Sequence, residues 1–298
     1  MYEVSVWCAF FFIYCFFGWC FESSYVSLCE RKPVNRGFLK GPMLPIYGFG
    51  ALIMLYVTIP FRNDYVKMYF AGAISATLLE YFTGAAMEKM FKVKYWDYST
   101  KKLNIKGYIC LSSTIAWGFF TIFLVKIIHN PIEKTVRALP QAALYSAVCV
   151  IGAAMIYDLA TSFKTAFSMR DLIVKINDYR EKTREEIKDA VKNLDGIKPE
   201  ISKLMHGGAR EILYAAENLS KHMSSPVFMH ERYGNLKAKI EALRERASAN
   251  MESISQKATK DKLRMLRRNP TKTNKWLAEE FEKLKKAEKR HEHKKVLK

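Results

Sequence analysis

The chain has 298 residues, of which half are hydrophobic, and carries 48 Lys+Arg against 29 Asp+Glu. The average hides two unlike parts: residues 1–163 hold 15 basic and 9 acidic residues, residues 164–298 hold 33 and 20. That split excludes one uniform soluble domain and divides the chain into an apolar part, 1–163, and a charged helix-forming part, 164–298, with a boundary near Ser162–Arg170.

The predicted architecture is all-α: a polytopic membrane helix bundle of about five spans, followed by a C-terminal cytoplasmic helical tail with coiled-coil character. The spans lie at about 4–28, 42–60, 65–88, 107–128 and 140–163, each near the ~20 residues a helix needs to cross ~30 Å of hydrocarbon. Val4 to Phe21 is free of charge. The second span is the shortest and contains Pro45, which predicts an irregular or partly re-entrant start. The first stretch does not read as a signal peptide, because it lacks a basic start and runs into Trp19-Cys20-Phe21-Glu22.

Basic residues set the orientation. The first loop holds Arg31, Lys32, Arg36 and Lys40, and the third holds Lys89, Lys92, Lys94, Lys101, Lys102 and Lys106. The second and fourth loops are poorer, and the tail is richest. Five spans then give an N-terminus outside, a C-terminus in the cytoplasm and a multi-pass protein of the cell membrane.

Three carboxylates fall within or at the ends of these spans: Glu22, Glu80 and Glu88. An ionisable group at the centre of a spanning helix costs ~3 kcal/mol on insertion scales, so it faces protein or water and marks a pathway, a site or a structural pair. Thr77, Glu80, Gly84 and Glu88 share one helix face. Gly84 is expected to let a neighbouring helix approach between the two carboxylates. Asp158 also lies near the inner end of its span, so the polar groups gather in the inner half of the membrane.

The tail opens on a stripe, Leu172, Ile176, Tyr179, Thr183, Ile187, Ala190, Leu194, Ile197, Ile201 and Leu204, with a period of about 3.6, which predicts an amphipathic helix. Gly207-Gly208 and Ser224-Ser225-Pro226 break it, and a second stripe runs from Leu236 to Ile254. Asn269-Pro270 ends that region, and a short helix starts at about Asn274. Anionic lipid is the simplest partner for a basic tail that follows a span. Nucleic acid is not expected, since neither zinc-finger spacing nor an aromatic ribonucleoprotein motif is present.

Two loops carry motifs. The first is Asn35-Arg36-Gly37-Phe38-Leu39-Lys40-Gly41-Pro42, continuing to Pro45-Ile46-Tyr47-Gly48-Phe49-Gly50. Arg36 there either pairs with Glu22 or Glu88, binds an anion, or touches lipid phosphate from a structural turn. The second is Trp96-Asp97-Tyr98-Ser99 with Asn104 and Gly107, read either as an interfacial anchor or as part of a functional site. Glu22, Asn35, Arg36, Glu80, Glu88, Trp96, Asp97, Tyr98 and Asn104 thus form the candidate polar cluster, for substrate or for structure.

Hard cations accept such carboxylates, but no metal, cofactor or catalytic residue is assigned. His291 and His293 read as a solvated pair. The six cysteines form no CxxC pair and read as buried thiols, not as a disulfide framework. The motifs GxxxxGK[ST], GxSxG and HExxH are absent.

Gly18-Trp19…Glu22, the first loop motif, Glu80-Tyr81…Thr83-Gly84…Glu88, Trp96-Asp97-Tyr98-Ser99…Asn104…Gly107 and Trp117-Gly118 together resemble the bacterial ABC-transporter type IV permeases (the CmpB-like family), over residues 5–160. The resemblance implies a bacterial inner-membrane permease subunit working with a separate ABC ATPase. It brings no substrate and no catalytic residue, and it does not cover the tail. Two other functions stay open beside the permease: a scaffold or sensor that recruits partners through its tail, and a membrane-embedded enzyme using Glu80 or Glu88 on a lipid-linked substrate. A homo-oligomer stays open as well.

Overall fold

The computed structural model describes residues 2–191, 260–279, 281 and 282, and the isolated residues 238, 242, 246, 249 and 253. Contacts divide the chain into two units: Met1–Ser168 with Lys260–Ala278, and Met169–Thr259 with Glu279–Lys298. The first unit therefore includes a segment that composition alone puts in the tail.

The described elements are helical, with one isolated bridge between Ile105 and Ile109. In chain order they are α1 (Val4–Glu30), α2 (Pro45–Thr58), α3 (Tyr65–Phe91), α4 (Leu111–Phe123), α5 (His129–Ala138), α6 (Gln141–Val191), α7 (Lys260–Arg268) and α8 (272–279). A short 3-10 turn, Ile59–Phe61, follows α2, and five π-helical residues, Leu124–Ile128, join α4 to α5 into one rod.

Among the described residues three stretches are long and apolar enough to cross a membrane: Val4–Glu30, Leu111–Ala138 and Gln141–Tyr179. The helices at two expected spans fall outside this set. With its 3-10 turn, α2 reaches only Pro45–Phe61. The other, α3, is long but less apolar, being rich in Gly, Ala and Thr and carrying Glu80.

Local chemistry moves several expected boundaries. The second helix begins at Pro45, not 42, because Leu44 is extended and proline suits the first helical position. The fourth begins at Leu111, not 107, after Gly107 turns the chain at φ +75°. Asp64 caps α3 by accepting from the amides of Val66 and Lys67. Leu139 is extended ahead of Pro140, which separates α5 from α6.

No break occurs at residue 163: α6 runs on, so the start of the tail stripe lies on the last spanning helix. Leu172 and Ile176 are buried on it. The stripe from Leu194 onward, the second stripe, the Gly207-Gly208 and Ser224–Pro226 breaks and the His291/His293 pair lie outside the described residues.

Within the first unit, α1 packs on α2, α2 on α3, α3 on α4, and α5 returns to α1. Two glycines set the closest approaches. A Cβ at Gly72 of α3 would overlap the Thr121 side chain of α4, and one at Gly18 of α1 would overlap the Tyr47 side chain of α2. Small residues serve this purpose in lipid, where close packing must hold helices together without a hydrophobic driving force.

Phe10, Met54, Met68 and Leu124 fill the space between the helices. At the end where α1 begins, buried His129 meets the hydroxyls of Tyr14 at 2.9 Å and Tyr2 at 3.3 Å. The six cysteines are all free, but only Cys15 and Cys110 are buried. Cys29 and Cys149 are exposed, contrary to the expectation of buried thiols, because Cys149 shares the outward side of α6 with exposed Tyr145 and Ile156.

Candidate functional site

The two motif loops and the return segment meet at the C-terminal ends of α1 and α3, beside the interior stretch of α6 around Asp158. The first loop, residues 31–44, leaves α1 through Arg31 in the left-handed conformation. It is pinned to α6 by Asp158, whose carboxylate accepts from the backbone amides of Lys40 at 3.0 Å and Gly41 at 2.7 Å and from Ser162 Oγ at 3.1 Å. Gly37 turns the loop at φ +113°, with Leu44 packed where a Cβ would stand. This fold-back leaves Arg36 pointing inward with all its reach fixed.

Arg36 is the hub. Its Nε donates to Glu22 Oε2 at 3.2 Å, its Nη2 to the carbonyl of Tyr95 at 3.0 Å, and its Nη1 to the carbonyl of Arg268 at 3.3 Å and to Asn269 Oδ1 at 2.9 Å. Four acceptors from three segments of the chain thus converge on one guanidinium. Its planar fork offers five N–H donors in fixed directions, which a lysine could not supply. Of the partners expected for Arg36, Glu22 is the one it meets. Glu22 also accepts from Tyr47 Oη at 2.8 Å.

Glu80 is only 5% exposed. Its two oxygens accept from Tyr98 Oη and from Trp117 Nε1, both at 3.1 Å. Among the described residues no salt bridge reaches it. Tyr98 comes from the second motif loop, and its hydroxyl is pushed well up by burial and then by the Glu80 charge, so it stays a donor.

Glu22, Arg36, Glu80, Tyr98, Trp96 and Asn269 all line one cavity of about 400 Å³. The rest of its wall is mainly apolar and aromatic, with Tyr47, Met54, Trp117 and Phe120 among its residues.

The remaining candidates build the wall without facing the cavity. Asn35 accepts from Trp19 Nε1 at 2.7 Å and donates to the carbonyl of Lys40 at 2.9 Å, which closes the first loop. Asp97 accepts from the amide of Ser99 at 3.0 Å and from its hydroxyl, and lies 3.6 Å from Lys94 Nζ. Burial pushes the Asp97 carboxyl up, but these Ser99 bonds and Lys94 outweigh it and hold the group below the usual carboxylate range. Asn104 donates to the carbonyls of Ser99 and Lys101 and accepts from the amide of Gly107.

Glu88 stands 4.0 Å from Lys94 Nζ, and its Oε2 is buried without a hydrogen bond. Gly84 is not met by a helix, as expected, but by Trp96 and Tyr108 of the second loop, because that loop folds back over α3. Trp96 donates from Nε1 to the carbonyl of Tyr108 at 2.8 Å, which fixes the fold-back. Among the described residues no three His, Cys, Asp or Glu side chains gather as a metal-ligand set.

The return segment is bonded to both motif loops, and its Asn269 lines the cavity. Asn269 is 2% exposed and donates from Nδ2 to the carbonyl of Gly37 at 3.3 Å. Arg268 donates to the carbonyl of Leu39 at 3.0 Å, Asn274 to that of Lys94 at 2.9 Å, and Lys275 pairs with Glu30 at 2.6 Å. Asn269-Pro270 read as a helix stop, and it is one. Thr271 then caps α8 through Oγ1, which accepts from the amide of Asn274. Sequence reasoning missed Tyr47, Trp117 and Asn269 as members of the site. Trp117-Gly118 and Tyr47 carried a signal within the motifs, whereas Asn269 carried none.

A family model with the description "Putative ABC-transporter type IV" matches residues 9–163. No curated protein and no solved structure matches the chain.

Proposed function

The chain belongs to the putative ABC-transporter type IV family, and from that premise we propose that it is the membrane permease subunit of a transporter driven by a separate ABC ATPase. The observation that carries this reading is Glu80: a buried carboxylate, held by the neutral side chains of Tyr98, Trp117 and Ser113 and by no described cation, in the wall of a largely apolar cavity. A membrane carboxylate so placed suits a pathway better than a structural pair. Glu22, by contrast, is the structural carboxylate, neutralised by Arg36.

In this reading the bundle spans the membrane five times, with α2 and α3 buried partly by their neighbours and not by their own apolarity. The N-terminus is outside. The cavity opens toward the cytoplasm, where the basic tail meets anionic lipid and forms a coiled coil with a partner or a second copy. Purification from native membranes in mild detergent tests the function: a stoichiometric ATPase supports a permease, while partners that bind only through residues 170–298 replace it with a scaffold.

Orientation has its own expected result. Cysteines placed at Asn63 and Asn130 react with a membrane-impermeant thiol reagent added to intact cells, and cysteines at Asn35, Thr100 and Ser253 do not. Labelling at Thr100 under those conditions reverses the topology.

A further inference from the structure

We propose that the cavity is a binding site for an organic cation with an apolar body, such as an aryl- or alkylammonium, whose charged end lies against Glu80. The inference rests on the permease reading only for its purpose; the binding itself stands on the geometry. The charge balance comes first. Glu22 and Arg36 neutralise each other at 3.2 Å. Glu80 has no described cation, so its carboxylate, once ionised, is the unmatched charge of the cavity wall.

Lone pairs come next. A carboxylate offers about four acceptor positions. Tyr98 and Trp117 take two of them and the Ser113 hydroxyl also interacts with the carboxylate, which leaves one position for a charged donor or an onium group. The walls then set the ligand's body. Tyr47, Tyr98, Trp96, Trp117 and Phe120 all line the cavity, and aromatic faces attract a desolvated cation while an apolar rim accepts its hydrocarbon. An anion finds no described positive group free for it, because Arg36 is already bonded to four acceptors.

The test uses the full chain in lipid nanodiscs, without ATPase. Tryptophan fluorescence, with Trp96 and Trp117 in the wall, reports binding of benzyltrimethylammonium, of its uncharged isostere neopentylbenzene and of benzoate. Partition into empty nanodiscs is subtracted. The cation is expected to bind about tenfold tighter than the isostere, with benzoate weakest. Glu80→Gln is expected to erase the preference for charge while keeping the affinity for the isostere.

Equal binding of cation and isostere to the native chain overturns the proposal, whether or not any variant folds. So does a charge preference that survives in Glu80→Gln. The two readings fail separately: charge-selective binding without an ATPase partner removes the permease, and an ATPase partner without charge-selective binding removes the cation site.

An independent observation carries a second inference. Residues Lys260–Ala278 join the first unit after an excursion through the second; Asn269 lines the cavity, and the segment is held by polar bonds to loop carbonyls and by Met265 packed with Phe91 and Tyr95. We infer that this segment is a detachable strap. Asn269→Ala in the full chain is expected to raise hydrogen exchange of the amides of residues 260–278 at least about tenfold and to increase acrylamide quenching of tryptophan, while exchange in α1 and α3 stays unchanged. Unchanged exchange in the segment, or equal acceleration throughout the first unit, shows instead that it is an integral part of the fold.

Discussion

Glu80→Gln is expected to abolish function, read by complementation of a deletion, while leaving the melting temperature in detergent nearly unchanged. The fold argument is specific. Glu80 is not half of a salt bridge among the described residues, so its neutralisation strands no described cation. The amide oxygen still accepts from Trp117 Nε1 or Tyr98 Oη, and the hydroxyl of Tyr98 can turn to accept from the new amide group.

What is lost is about one hydrogen bond to a charged acceptor, largely offset by the easier burial of a neutral side chain, so the net cost is below about 1 kcal/mol. A large fall in stability together with loss of function sinks the pathway reading, because it makes Glu80 structural. Full function in the variant removes Glu80 from the site altogether.

Arg36→Gln is expected to have the opposite signature. It removes a guanidinium that binds Glu22, Tyr95, Arg268 and Asn269, and it leaves the Glu22 charge in a site where its side chain is 26% exposed. Breaking a well-buried pair costs about 3–5 kcal/mol, and the residual exposure puts this one near the lower end, about 3 kcal/mol.

Glu22→Gln should cost less, since Arg36 keeps its three other acceptors. The double variant should recover part of the Arg36→Gln loss, because it no longer leaves a lone charge. Thermal melts of the three variants give the comparison. Hydrogen exchange adds a second readout: the 260–278 amides should loosen in Arg36→Gln and not in Glu22→Gln. Equal losses in the two single variants refute the hub.

The helical class, the positions of the helices and the polar face of α3 were legible in the sequence because they depend on local rules. An apolar run of about 20 residues, a proline at the first turn and a glycine with positive φ act on their own neighbours. Thr77, Glu80, Gly84 and Glu88 share a face whatever surrounds them.

Helix boundaries were less legible where a distant group decided them. Gly41–Leu44 stays out of α2 partly because Asp158, more than a hundred residues on, holds the amides of Lys40 and Gly41.

The sequence by itself determined an apolar helical chain with acidic groups in costly places and a family likeness over residues 9–163. The tertiary structure alone decided what each acidic group does. Glu22 is matched by Arg36, Glu80 is held by Tyr98 and Trp117, and Glu88 lies apart near Lys94. The physical reason is that a partner's identity depends on directions fixed by packing between segments far apart in the chain, which spacing along one helix does not encode. The strap shows this most plainly. Nothing in the composition of residues 260–278 separates them from the basic tail, yet Asn269 reaches the carbonyl of Gly37 and the guanidinium of Arg36 because loops closed elsewhere present those groups to it.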